Sequence, residues 1–415
     1  MSNDPPRPRL GRDGTRPERT GFTPGRSNKG QAAVRGVAGE SITWLELFFD
    51  LVAVAAMVVL ASALEEHTTW AGVGVFSVTF AAIWMCWSSL ALYVNLANEA
   101  AEKRTIILGM AAIAAMAASL LHLDEHANVF AIAFLICRWF TARASLRTGR
   151  LLANWPALQL GGLTAPWLIS LWIDGPTKYW FWAAGIAFDL IGQVLQRDAD
   201  EEVLARINER SARDRARGEI RPTFVTTDVR GHHLEERLGT FVIIVLGESV
   251  LQMVRAVSET HWSASMWVAA GAGFAILVMV WRLTFSYGFA TAPGARMAEL
   301  SLRLSMPVHL ISSGSLVVFA ASLGELIRES GEHVPPVWGW LAAGSLAVYF
   351  AISLLAGVIA KAPRAWILGR ALPAVVVALA LGAVGPHLDP AAFIALLAIP
   401  VAWQVAYGFG GRTSA

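Results

Sequence analysis

The sequence is short of charge, of cysteine and of catalytic signatures, and each shortage excludes something. Only 15% of its 415 residues are Asp, Glu, Lys or Arg, where a water-soluble domain carries about 25%. Those charges are also crowded, with 28 of the 64 falling in residues 1–43 and 197–233. With 55% of residues from the set AVILMFWYC and a mean hydropathy of +0.51, a water-soluble fold is excluded. The two cysteines, Cys86 and Cys137, lie inside apolar runs, so they read as small hydrophobes and build no disulfide scaffold. No H-E-x-x-H, G-x-S-x-G or P-loop pattern occurs. Metalloprotease, serine-hydrolase and ATP-driven mechanisms therefore have no support, and no catalytic residue, metal or cofactor is assigned. The basic tail holds one aromatic, Phe22, and no binding module follows it, which leaves nucleic acid out as a partner.

What remains is a chain made for the lipid bilayer. A helix needs about 20 apolar residues to cross roughly 30 Å of hydrocarbon. That ruler predicts twelve spans: Trp44–Leu64, Trp70–Val94, Thr105–Leu121, Ala127–Ala142, Trp155–Ile173, Lys178–Gln196, Leu234–Val254, Trp262–Phe285, Leu302–Leu323, Trp338–Ala360, Ala365–Val384 and Pro390–Tyr407. The expected fold is all-α, a polytopic transmembrane helix bundle of two six-helix halves, residues 42–196 and 234–408. A disordered basic tail over 1–41, a charged linker over 197–233 and a short C-terminal tail over 409–415 complete it. On this layout 27 of the 33 Lys and Arg fall on one side and 3 on the other, which places both termini in the cytoplasm. Trp44, Trp70, Trp155, Trp172, Trp180, Trp262 and Trp338 fall near span ends, as interfacial anchors do. In the linker, Glu202 with Arg206 and Glu209 with Arg213 have the i,i+4 spacing of a solvated helix.

The two halves open alike. Glu46-Leu-Phe-Phe-Asp50 begins the first span and Glu236-Arg237-Leu-Gly-Thr begins the seventh, the pattern of parallel repeats related by an axis along the membrane normal. Glu46 and Asp50 sit one turn apart on one helix face. Two like charges there repel, so one must be protonated, salt-bridged or cation-bound, with Arg237, Arg138 or Arg282 as the candidate ion-pair partner. Glu248 lies twelve residues past Glu236, about 18 Å along the seventh span, with Ser249 beside it. Asp189 reaches a comparable depth in the sixth. Each acid has an amide four residues on, Gln252 after Glu248 and Gln193 after Asp189, and a facing pair of such ledges could hold a cation or a polar substrate. An ionisable group at that depth is a functional candidate unless another helix supplies its partner. His309 follows Pro307 in the ninth span. A proline there kinks a helix and frees carbonyls, and the histidine is a candidate proton relay.

Trp44-Leu-Glu46-Leu-Phe-Phe-Asp50-Leu-Val, the run Trp84…Trp87…Tyr93-x-Asn95, and Glu236-Arg237-Leu-Gly-Thr-Phe-Val-Ile-Ile-Val-Leu-Gly247-Glu248-Ser249 together resemble the bacterial low temperature requirement protein A family. The resemblance runs from Ile42 to about Tyr407. It implies a multi-pass protein of the bacterial inner (plasma) membrane whose biochemistry is unsettled, and it carries over Glu46, Asp50, Glu236, Arg237, Gly247, Glu248 and Ser249 as motif positions. The family's ninth span has a His two residues before its Pro. This chain has Ser305 there, and His309 two residues after Pro307. The expected function is that of a secondary transporter or exchanger, with protons, cations or a small solute as partners. The alternatives are a membrane-embedded lipid- or isoprenoid-linked enzyme or accessory factor, and a non-transporting scaffold.

Overall fold

The computed structural model describes Met1 and residues 44–97, 101–152, 162–195, 201–218, 222–229, 231–287, 301–359 and 361–410. By its contacts the chain divides into two units, Met1–Ser41 and Ile42–Ala415. The expected basic tail, the expected C-terminal tail from 411 onward and the first seven residues of the expected span Trp155–Ile173 lie outside the described residues, and the described part of that span holds only a six-residue helix, Ala165–Ser170.

Long apolar runs become helices because each backbone group is then satisfied within its own segment, as a bilayer demands. In chain order they are α1 (Trp44–Glu66), α2 (Trp70–Ala97), α3 (Lys103–Ser119), α4 (Leu123–Arg147), α5 (Ala165–Ser170), α6 (Thr177–Leu195), α7 (Glu201–Ala216), α8 (Gly231–Glu259), α9 (Ala264–Tyr287), α10 (Leu302–Arg328), α11 (Pro336–Ile359), α12 (Arg364–Trp366), α13 (Leu372–Val384) and α14 (Pro390–Gly410). A π-helical stretch, Ile367–Ala371, joins α12 to α13. Among the described residues nine helical runs are long and apolar enough to cross a membrane: α1, α2, α4, α8, α9, α10, α11, Arg364–His387 and α14. The chain is thus a polytopic α-helical membrane protein. The twelve expected spans are not all among them. α3 has 17 residues, and α6 has 19 whose hydropathy is lowered by Lys178, Asp189 and Gln193. One small element is not helical. β1 (Arg150–Leu152) pairs in parallel with β2 (Val225–Thr227), tying the end of α4 to the segment before α8.

Helix packing follows a repeated scheme. In the first half α1 packs on α2 and α3, α3 on α4, α4 on α5, α5 on α6 and α6 on α2. In the second, α8 packs on α9 and α10, α10 on α11, α11 on α13, α13 on α14 and α14 on α9. The order of these contacts is the same in the two sets. α1 and α2 meet α8 and α10 across the centre, and α2 and α10 are the most enclosed helices, buried along most of their length. Trp44, Trp70, Trp172, Trp180 and Trp262 are exposed as anchors should be, whereas Trp338 is buried in the core. Cys86 and Cys137 are buried and form no disulfide. α10 runs through Pro307 as one helix.

Candidate functional site

The buried face of α8 carries His233, Arg237, Phe241, Glu248 and Gln252, a stripe with helical spacing. At its start this stripe meets α1. Asp50 Oδ1 accepts hydrogen bonds from Arg237 Nη2 at 2.6 Å and from Trp87 Nε1 at 2.8 Å. Both Asp50 and Arg237 are fully buried. Arg237 Nη1 lies 4.0 Å from Glu46 Oε2, and His233 Nε2 lies 3.3 Å from the same oxygen. Phe49 presents its ring to the guanidinium, 5.1 Å from centroid to carbon, a favourable placement for a desolvated cation. The repulsion expected between Glu46 and Asp50 is therefore answered by Arg237, with neither Arg138 nor Arg282.

Arg237 thus stands between two carboxylates, 2.6 Å from Asp50 and 4.0 Å from Glu46. Its hydrogen bonding is also incomplete. Arg237 Nε and Nη1, Asp50 Oδ2 and His233 Nδ1 are enclosed atoms with no hydrogen-bond partner among the described residues. Buried polar atoms are nearly always satisfied by protein or by ordered water.

Next to this centre stands an aromatic layer. Trp84 Nε1 donates to His309 Nδ1 at 3.0 Å, and His309 Nε2 lies 3.1 Å from the Leu238 carbonyl. An indole nitrogen only donates, so Nδ1 accepts and the proton sits on Nε2, donated to Leu238. The imidazole is neutral in this arrangement. Trp87 packs against Phe241 at 4.4 Å and against His309 at 5.8 Å between ring centroids. Ser305, in the family's histidine position, is buried and bonds back to the Leu302 carbonyl.

Further along α8 comes Glu248, 6% exposed. Gln252 Nε2 donates to its Oε1 at 3.0 Å, and among the described residues no donor from another helix reaches it. Ser249 turns its hydroxyl to the Val245 carbonyl. Asp189 is arranged otherwise. Arg138 Nη2 stands 3.3 Å from its Oδ2 and the Leu163 amide donates to Oδ1 at 2.5 Å, while Arg138 Nη1 donates to Ser89. Gln193 is buried but does not bond Asp189, and its Oε1 has no partner. The acid–amide ledge exists at Glu248–Gln252 and is not formed at Asp189–Gln193. Glu236 stays at the half-exposed end of α8, bonded to exposed His232 at 3.2 Å.

The far ends of the same helices converge on Arg328, which faces Glu259 at 3.1 Å, Glu65 at 3.8 Å and Glu325 of its own helix. Sequence reasoning missed this cluster, because nothing local shows that three helix ends meet. It also gave His233 and Phe241 no place in the site, and it named Trp84 and Trp87 only as part of a motif. For His233 a signal existed, since it precedes Arg237 by four residues on one face.

Fold and site define a polytopic membrane protein with charged residues held between its helices. Residues 41–406 match the bacterial low temperature requirement A (LtrA) proteins, and the chain belongs to that family. No curated protein and no solved structure matches it.

Proposed function

We propose that the chain is a secondary transporter or exchanger of the bacterial inner membrane in which protonation of Glu248, with Asp50 as its companion nearer the start of α8, couples to passage of a cation or small solute. Glu248 carries this reading. A carboxylate kept for packing needs a partner on a neighbouring helix, as Asp189 has in Arg138 and Asp50 in Arg237. Glu248 is 6% exposed yet bonds only an amide one turn along its own helix. The surroundings support the same reading. Arg237 and Glu248 are eleven residues apart, about 16 Å along α8, and the layer of Trp84, Trp87, Phe241 and His309 adjoins the first of these two polar stations. The matching sets of six helices fit machines that alternate access between repeats. The lipid-enzyme reading needs a metal at Glu46 and Asp50, and the guanidinium already between them repels one.

The test is flux. Purified protein in liposomes with an internal pH-sensitive dye is given K⁺, Na⁺ and proton gradients in turn. Wild type is expected to carry flux that Glu248→Gln abolishes while its yield and melting stay unchanged. Equal flux in the two proteins overturns the coupling role. A Glu248→Gln protein that fails to fold supports the scaffold reading instead.

A further inference from the structure

The enclosed polar atoms around Arg237 point to a second functional residue. Four of them, on three residues, have no hydrogen-bond partner among the described residues, and all three residues are more than nine-tenths buried. Donors (Arg237 Nε and Nη1), an acceptor (Asp50 Oδ2) and a ring nitrogen that can be either (His233 Nδ1) make up a set that water, which donates and accepts, can satisfy. We propose that His233 is the proton-access residue of this centre, taking a proton from water at the start of α8 and passing it to Glu46. The proposal rests on the transporter reading above and adds the route by which protons reach Asp50.

The geometry permits the transfer. His233 Nε2 is 3.3 Å from Glu46 Oε2, and its neighbour His232, 80% exposed, bonds Glu236 at the same end of α8. A protonated His233 gives the hydrogen on Nε2 to the Glu46 carboxylate. The products are neutral imidazole and a carboxylic acid, and the reverse step returns the proton. Onward transfer to Asp50 Oδ2 runs through water held by the free N–H groups of Arg237. The other titratable and charged groups at this end include Glu235, Glu236 and His232 on α8, His309 and Arg303 on α10, Arg282 on α9, and the exposed Lys103 and Arg104 of α3. α2 brings Trp84 and Trp87 and no charge.

The experiment compares wild type, His233→Gln and Glu248→Gln in the same liposomes across about pH 5 to 8, the range in which a histidine changes charge. Glutamine keeps hydrogen bonding but cannot carry a proton. His233→Gln is expected to fold and melt as wild type does, to lose about a hundredfold in proton-coupled flux, the low end of what a positioned proton-transfer group supplies, and to lose the wild-type pH profile. Full flux with an unchanged profile overturns the role of His233 while leaving that of Glu248 intact. Absence of proton-coupled flux in wild type overturns both. A His233→Cys protein supplies a readout independent of transport, since the native cysteines are buried. Labelling by a membrane-impermeant thiol reagent from one face is expected, and failure to label overturns the proposed water access.

Discussion

At the scale of single residues, the charges were legible and their partners were not. Glu46, Asp50, Arg237 and Glu248 stand out because a charge inside an apolar run is costly and rarely kept without a role. The bond between Asp50 and Arg237 spans 187 positions, and no periodicity within one helix reveals which of three arginines will arrive. His233 and the two tryptophans acquire meaning only from that register. The pairing makes a quantitative expectation. Arg237→Met leaves Asp50 buried without its cation and should lower stability by about 3–5 kcal/mol, whereas the double change Arg237→Met with Asp50→Asn should recover much of it. Melting of the purified proteins in one detergent checks this, and equal losses in the single and double variants would show that the pair is not coupled. Gly162 offers a second case. Its φ of +61° suits glycine, and an added Cβ would stand 2.2 Å from Arg138 Nη2 and 2.3 Å from Asp189 Oδ2. Gly162→Ala therefore has to displace a buried ion pair, and is expected to melt earlier than wild type in the same assay.

At the scale of elements, α7 shows how much of a surface helix comes from local rules. Its i,i+4 spacing correctly placed Glu209 against Arg213, at 2.5 Å; the side chain of Glu202 lies outside the described residues, so its expected pair with Arg206 does too. Arg213 holds the Glu209 carboxyl below the usual carboxylate range, by its hydrogen bond first and its charge second. A lowered value in the folded state contributes stability above the ordinary carboxylate range, and that contribution is lost as pH falls through the lowered value. Both groups are in water, so the effect is small. Glu209→Gln should melt almost with wild type at neutral pH, and the residual difference should vanish in acid; a gap that widens in acid would contradict this sign. The anchor of the linker was invisible beforehand because it is long-range. Asn208 bonds both the amide and the carbonyl of Phe224, at 2.7 and 2.9 Å, and so fixes α7 beside the strand that pairs with β1. Asn208→Ala should leave these backbone groups unmet and speed trypsin cleavage after Arg217 relative to wild type, with no change in the melting of the membrane part. An unchanged cleavage rate would mean that β2 alone holds the linker.

At the scale of the whole molecule, the ion pairs settle a relation between helices that hydropathy leaves open. The second turns of α1 and α8 are joined through Asp50 and Arg237, and the last turns of α1, α8 and α10 through Glu65, Glu259 and Arg328. These helices consequently run in the same direction. Two parallel spans require an odd number of crossings between them. Four long helices, α2, α3, α4 and α6, lie between α1 and α8, so one more crossing is needed, and the twelve-span reading assigns it to Trp155–Ile173. Hydropathy proposes that segment by its apolar content, and the parity of the ion-paired helices calls for an odd number of crossings from the other end of the chain. A thiol-labelling map separates the possibilities. Single cysteines at exposed Glu102 and Arg210 should react from one face, and those at exposed Asp174 and His261 from the other. Reaction of Asp174→Cys from the Arg210 face would remove the fifth crossing. One of the intervening long helices would then lie along the membrane without spanning it, and the matched packing of the two six-helix sets would no longer describe two equivalent transmembrane halves.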